Sequence, residues 1–118
     1  MKPEKIIQFV FFKSEKGNMP VRDFLLSLSN DDCDKVGQDL MEVEYGWPIG
    51  MPKCRLLRGG VYEVRSSISQ NRQVRVLFFV DSQDMIAVHA FIKKEQKTRN
   101  SHIELALKRK TQYERARK

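Results

Sequence analysis

The stretch VYEVRSSISQNRQVRVLFFVDSQDMIAVHAFIKK, residues 61–94, decides how this chain folds. It contains three runs rich in β-branched and aromatic residues: VYEVRSSIS, QVRVLFFVD and MIAVHAFI. Polar, turn-forming SQNR and SQD part them, and such runs predict strands. Connectors this short leave no room for a crossover helix, so the strands must pair antiparallel as a meander. CRLL, residues 54–57, adds a fourth strand on the far side of Gly59-Gly60.

Upstream, KIIQFVFF (5–12) reads as a first strand, and SEKGNMP (14–20) supplies a turn. Pro20 suits a helix start, and Val21, Phe24, Leu25 and Leu28 recur at helical spacing. NDDCDKVGQDLMEVEYG (30–46) predicts a second helix. Asn30 is its expected N-cap, acidic residues fill its first turn, and Cys33, Val36, Leu40 and Val43 form its apolar stripe. Gly46 and Pro48 end it. Downstream, NSHIELALKRKTQYERARK (100–118) predicts a terminal helix. Ser101 and Glu104 have capping-box spacing, and Ile103, Ala106 and Leu107 face inward. The order is strand, two helices, four strands, helix. That is an α+β arrangement, with the helices expected on one side of a mostly antiparallel sheet.

At 118 residues, a single domain is expected over 1–118. With 41% hydrophobic and 31% charged residues the composition is that of a globular chain. No window reaches the roughly 18–20 apolar residues of a membrane span, so no membrane partner is expected. MKPEKIIQFVFFK imitates a secretion signal, but Gln8 and Lys13 bound its apolar run and it lacks a small-residue cleavage site. A cytoplasmic protein is the reading that follows. Cys33 and Cys54 are too few for a disulfide or metal framework and are expected to be reduced.

The net charge of +7 has an address. Residues 1–92 hold 12 Lys/Arg against 12 Asp/Glu, whereas residues 93–118 hold 10 Lys/Arg against 3 Glu. A basic block of this kind attracts polyanions, nucleic acid first among them. An acidic protein partner would suit it too.

The chain shows no Gly-rich phosphate loop, HExxH, paired-Cys pattern or magnesium-spaced aspartates, so no metal and no cofactor are expected. The chemistry-bearing residues that remain are cations on or beside strands. Alternation puts Arg65 on the face of Val61 and Glu63, and Arg75 on the face of Leu77 and Phe79. Each arginine then needs an acceptor, either a carboxylate such as Glu63 or a bound phosphate. His89 shares its face with Met85, Ala87 and Phe91, which suits a core histidine as well as a general base. Lys93 and Lys94 follow the last strand, and the meander returns them beside the start of Arg75's strand, with Arg65 toward the same edge. Lys97 and Arg99 extend that cluster. Lys108, Arg109 and Lys110 occupy successive helical positions, so they cannot all share one face.

The ordered set RGGVYEVRSS, VRVLFFVD and HAFIKKEQKT, followed by a basic terminal helix, resembles the HigB-like, phage-derived branch of the RelE/ParE toxin superfamily. The resemblance spans about residues 5–113. It implies a RelE-like fold and the toxin of a type II toxin–antitoxin system that cleaves messenger RNA on the 70S ribosome. The implied partners are a helix-turn-helix antitoxin, in an assembly that can reach two toxins with two antitoxins, and the ribosome with its mRNA. Arg75 falls where the superfamily contacts the scissile phosphate, and Lys94 falls on a basic residue after the last strand. Catalytic lysines of RelE fall near Val61 and Glu63 and are absent here. Its terminal tyrosine aligns near Asn100, with Tyr113 too far along to replace it.

Such chemistry needs no metal, because the RNA 2′-hydroxyl is itself the nucleophile. The enzyme holds the in-line geometry, moves two protons and stabilises the added charge. Arg65 and Arg75 supply forked donors. Mutual repulsion among Lys93, Lys94 and Lys97 favours a neutral amine on one of them, and His89 competes with Lys94 for the proton-moving role. Lys93, Lys97, Arg99, Lys108 and Arg109 are the expected RNA or ribosome contacts. Two other classes stay open: a ParE-like gyrase inhibitor, and a non-catalytic nucleic-acid-binding regulatory module.

Overall fold

In the computed structural model, which describes residues 4–94 and 97–117, the meander closes into one five-stranded sheet. Its strands are β1 (Gln8–Phe11), β2 (Cys54–Leu56), β3 (Tyr62–Ile68), β4 (Arg72–Asp81) and β5 (Asp84–Ile92), in the order β1-β5-β4-β3-β2. β2 through β5 pair antiparallel as the connectors require, while β1 joins β5 in parallel. The hairpin between β3 and β4 turns on Gln70 and Asn71, at φ 61° and 57°. That is the mirror-type turn whose twist matches the flanking strands.

Helices α1 (Pro20–Leu26), α2 (Asn30–Gly46) and α3 (Asn100–Ala116) do not share one side of the sheet, contrary to the expectation from element order. Val21, Leu25, Val36, Leu40 and Val43 of α1 and α2 pack with Val64, Val74, Val76, Phe78, Met85 and Ala87. Ala106, Leu107 and Tyr113 of α3 pack with Val61, Leu77, Phe79, Ile86 and Val88 on the other face. The reason lies in β4, where Val74 through Phe79 are all buried. A central strand apolar on both faces needs a layer on each.

The caps also depart from the expected residues. Ser29, not Asn30, caps α2, its Oγ accepting from the Asp32 N–H at 3.2 Å. Asp32 is buried and in turn accepts from Ser69 and from Arg72, pinning the start of α2 to the β3–β4 turn. Ser101 lies inside α3, which starts one residue earlier behind Arg99 without a side-chain cap. The Asn100 side chain there accepts from Arg58 and donates to Glu104.

Gly59, at φ +63°, lets the β2–β3 connection pass under α3. A Cβ there would lie 2.6 Å from Leu107 Cδ2. Gly59→Ala is therefore expected to cost about 1–2 kcal/mol, from the left-handed backbone and the displaced Leu107. Gly37, within α2 with nothing inside 4 Å of its Cβ position, is the counterpart. Gly37→Ala should stabilise by about 0.5–1 kcal/mol. Urea unfolding midpoints of the two variants should thus shift in opposite directions.

Candidate nucleic-acid interface

The site begins with how little of β5 is covered by β1. β1 pairs only with Asp84–Ala87, and the Phe12 N–H takes the Ala87 carbonyl at 3.0 Å. Arg109 Nη1 donates to the next one, Val88 O, at 2.7 Å. Beyond that point the end of β5 opens into a groove of about 580 Å³. Ala90, Phe91 and Ile92 line it with Phe24 of α1 and His102 of α3, and Lys93, Lys94, Lys97, Thr98 and Arg99 complete it. Among the described residues the lining holds four cationic side chains and no carboxylate.

A bulge in β5 shapes the inner wall. The β4–β5 register shifts between Leu77, which faces His89, and Phe78, which faces Ala87. The extra residue turns His89 away from Met85 and Ala87, with which simple alternation would group it. His89 instead stands on the α3 face, its ring 5.3 Å from Phe91. Phe91 and His102 stack at 3.7 Å with an interplanar angle of 1°. His89 Nε2 and His102 Nδ1 are hydrogen-bonded at 2.8 Å. Burial pushes the His89 pKa down to about 4, with His102 and Arg109 adding to the effect, so its imidazole is neutral at pH 7.

Beside Phe91, in the same sheet, lie the two arginines. Arg65 and Arg75 are direct partners across β3 and β4, and Phe91 is the next residue across on β5. Arg75 is 2% exposed and does not line the groove. Its Nη1 donates to Glu63 Oε1 at 2.5 Å and its Nη2 to Gln73 Oε1 at 3.0 Å. Arg65 Nε lies 3.5 Å from the same Glu63 oxygen. Glu63 is itself wholly buried, and the Thr98 hydroxyl donates to its other oxygen. Among the described residues, neither arginine's Nε has a hydrogen-bond partner. Thr98, a groove residue, is thus the link between the open cleft and the buried ion pair.

The remaining cations part company. Lys108 is exposed beside a second cleft formed with the β1–α1 connection. Arg109 is half-buried against β5, and burial lowers its pKa. Lys110 pairs with Glu114 at 2.9 Å and lies over the Phe79 ring. Sequence reading passed over His102, Thr98 and Gln73. His102 carried one signal, being the only other histidine in the chain.

Fold and cleft together describe an α+β protein with a basic, aromatic-walled groove at the end of a sheet. The chain belongs to the family "Phage derived protein Gp49-like (DUF891)", whose model matches residues 23–111, from within α1 to within α3. That family is associated with RelE/HigB-type toxins. A search of curated proteins gives no match.

The half-buried His89 gives a pH prediction with a definite sign. Its folded pKa lies below its ordinary value of 6.5, so the unfolded chain takes up a proton first. The stability contributed by neutral His89 is complete above pH 6.5 and is lost as pH falls toward 4. His89→Phe should therefore lose less stability than the parent between about pH 7 and pH 5, measured by urea unfolding. An NMR titration placing the His89 imidazole near 6.5 would contradict this assignment.

Proposed function

We propose that this chain is the toxin of a type II toxin–antitoxin pair, a HigB-like endoribonuclease that cuts messenger RNA on the 70S ribosome. A helix-turn-helix antitoxin silences it, and the site of action is the cytoplasm. The observation that carries this reading is the convergence of Lys93, Lys94, Lys97 and Arg99 on one groove walled by Phe91 and His102. Cations beside flat rings suit a single-stranded nucleic acid, whose phosphates take the charges and whose bases stack. The association of the family with toxin ribonucleases points the same way.

The groove assigns roles by accessibility. Lys94 is exposed and, with Lys93 and Lys97, reaches a phosphate held in the groove. Arg75 and Arg65, behind the groove beside Phe91, add positive potential for the phosphate that gains charge as the 2′-oxygen attacks. The 2′-hydroxyl gives up its proton, the O2′–P bond forms and the P–O5′ bond breaks. The products are a 2′,3′-cyclic phosphate and a 5′-hydroxyl. Lys94 and the linked His89–His102 pair are the groups at the groove with the chemistry to accept and return those protons.

The buried pair dictates which variants can test this. Arg75→Ala strands Glu63 without its strongest partner, and removing one member of a buried pair typically costs about 3–5 kcal/mol. Lost toxicity in that variant would report misfolding as readily as a missing phosphate contact. Lys94→Ala touches an exposed side chain and leaves the core intact. On induction in cells, the parent should arrest growth and produce new mRNA 5′ ends within translated codons. Lys94→Ala should abolish both while still binding the antitoxin. Growth arrest with intact mRNA and damaged DNA would instead assign the fold to gyrase inhibition. An absence of toxicity in the parent would leave a binding module.

A further inference from the structure

The groove does not end at Thr98. On the other side of Lys97 and Thr98 a smaller cleft of about 160 Å³ opens, lined by Arg55, Leu57, Arg58 and Ile103 together with the same Lys97 and Thr98. Arg55 sits on the edge strand β2, directly across from Glu63, and so on the same sheet face as Arg65 and Arg75. It is exposed and enters no ion pair among the described residues. Arg58 is also exposed, its Nη1 donating to Asn100 Oδ1 at 2.5 Å and its Nη2 lying 4.0 Å from Glu104.

We infer that Arg55 and Arg58 form a second phosphate-contact subsite, so that one RNA strand runs from the Lys93–Lys94 groove over Lys97–Thr98 to the β2 edge. The inference rests on the reading of the main groove as an RNA site and extends it. Two clefts that share a wall and repeat the same chemistry, guanidinium or ammonium groups beside apolar side chains, suit a ligand with regularly spaced anionic groups. A strand with a phosphate at every residue meets that demand. An acidic polypeptide would supply charges without flat faces for Phe91 and His102.

The test uses a fluorescein-labelled, single-stranded RNA with 2′-O-methyl groups, which cannot be cut, and the full-length protein. Affinity is followed by anisotropy across a potassium chloride series. Each lost phosphate contact should flatten the slope of log K against log salt by about 0.7. Arg55→Ala should show that flattening with a several-fold weaker Kd, Arg55→Lys should restore the slope, and melting temperature should stay unchanged. Arg58→Ala, which also releases Asn100, should flatten the slope similarly.

An unchanged slope in Arg55→Ala, with Lys94→Ala still flattened, overturns the second subsite and leaves the groove standing. Equal affinity and slope for the parent, Arg55→Ala and Lys94→Ala overturns the RNA reading of both. Poly-glutamate that displaces the RNA at equal charge concentration, and that depends equally on Arg55, assigns the track to an acidic polypeptide and overturns the inference.

Discussion

The structure depends on a carboxylate in an unlikely place. Glu63 points from β3 into the α3 face of the sheet, where it is wholly buried. It survives there because Arg75 comes to it from the neighbouring strand, Arg65 flanks it and Thr98 closes it off. A guanidinium keeps its charge when desolvated, so the pair remains ionic where a lysine would tend to neutralise. A buried pair is not in itself a large source of stability. What it does is fix the relation of three segments: β3, β4 and the chain that leads into α3. Replacing both partners by apolar residues would preserve packing but leave Thr98 with nothing to hold, and the groove wall would lose its anchor.

The bulge in β5 is the second constraint, and it follows from the same geometry. Up to Ala87 the strand is clamped between β1 and β4, and its side chains alternate strictly between the two cores. Where β1 stops, one extra residue enters, and both His89 and Phe91 come to the face that α3 covers. Without that shift His89 would sit under α1 and α2 and the His89–His102 bond would not exist. Arg109 belongs to this arrangement, since it bonds to the carbonyl of Val88, the extra residue of the bulge.

These two features mark the boundary of what the amino-acid order reveals. The strands and helices are legible because their periods are strong: VRVLFF is a strand under any scheme, and Val36, Leu40 and Val43 can only be a helical stripe. The nearness of Arg65, Arg75 and Lys93 is legible too, because a meander with short turns has few registers. Glu63 stands out as the acceptor Arg75 needs. A bulge leaves no such trace, since an inserted residue looks like any other member of an apolar run. The division of the helices between faces is hidden in element order, though the six consecutive buried residues of β4 carry it for a reader who weighs them as a central strand. Capping failed for a smaller reason. Ser29 and Asn30 are both good caps, and which one serves depends on where Asp32 is drawn by Ser69 and Arg72.

Charge shows most clearly why counting along the chain misleads. By position, the whole excess of +7 lies after residue 92. In space, much of that block is already committed: Arg109 to the β5 backbone, Lys110 to Glu114 and Arg117 to Asp81. The neutral part meanwhile divides its charges between two sides of the sheet. Asp32, Asp39 and Glu44 all sit on α2, where Arg72, Lys35, Lys53 and Lys5 answer them. Arg55, Arg65 and Arg75 are left on the opposite face with Glu63 between them. The four cations that line the groove come from the basic block, and Arg55, Arg65 and Arg75, from a stretch whose net charge is zero, add to them on the same face of the sheet. This surplus arises because α2 holds three carboxylates on the other side of the sheet, each already answered by its own cation.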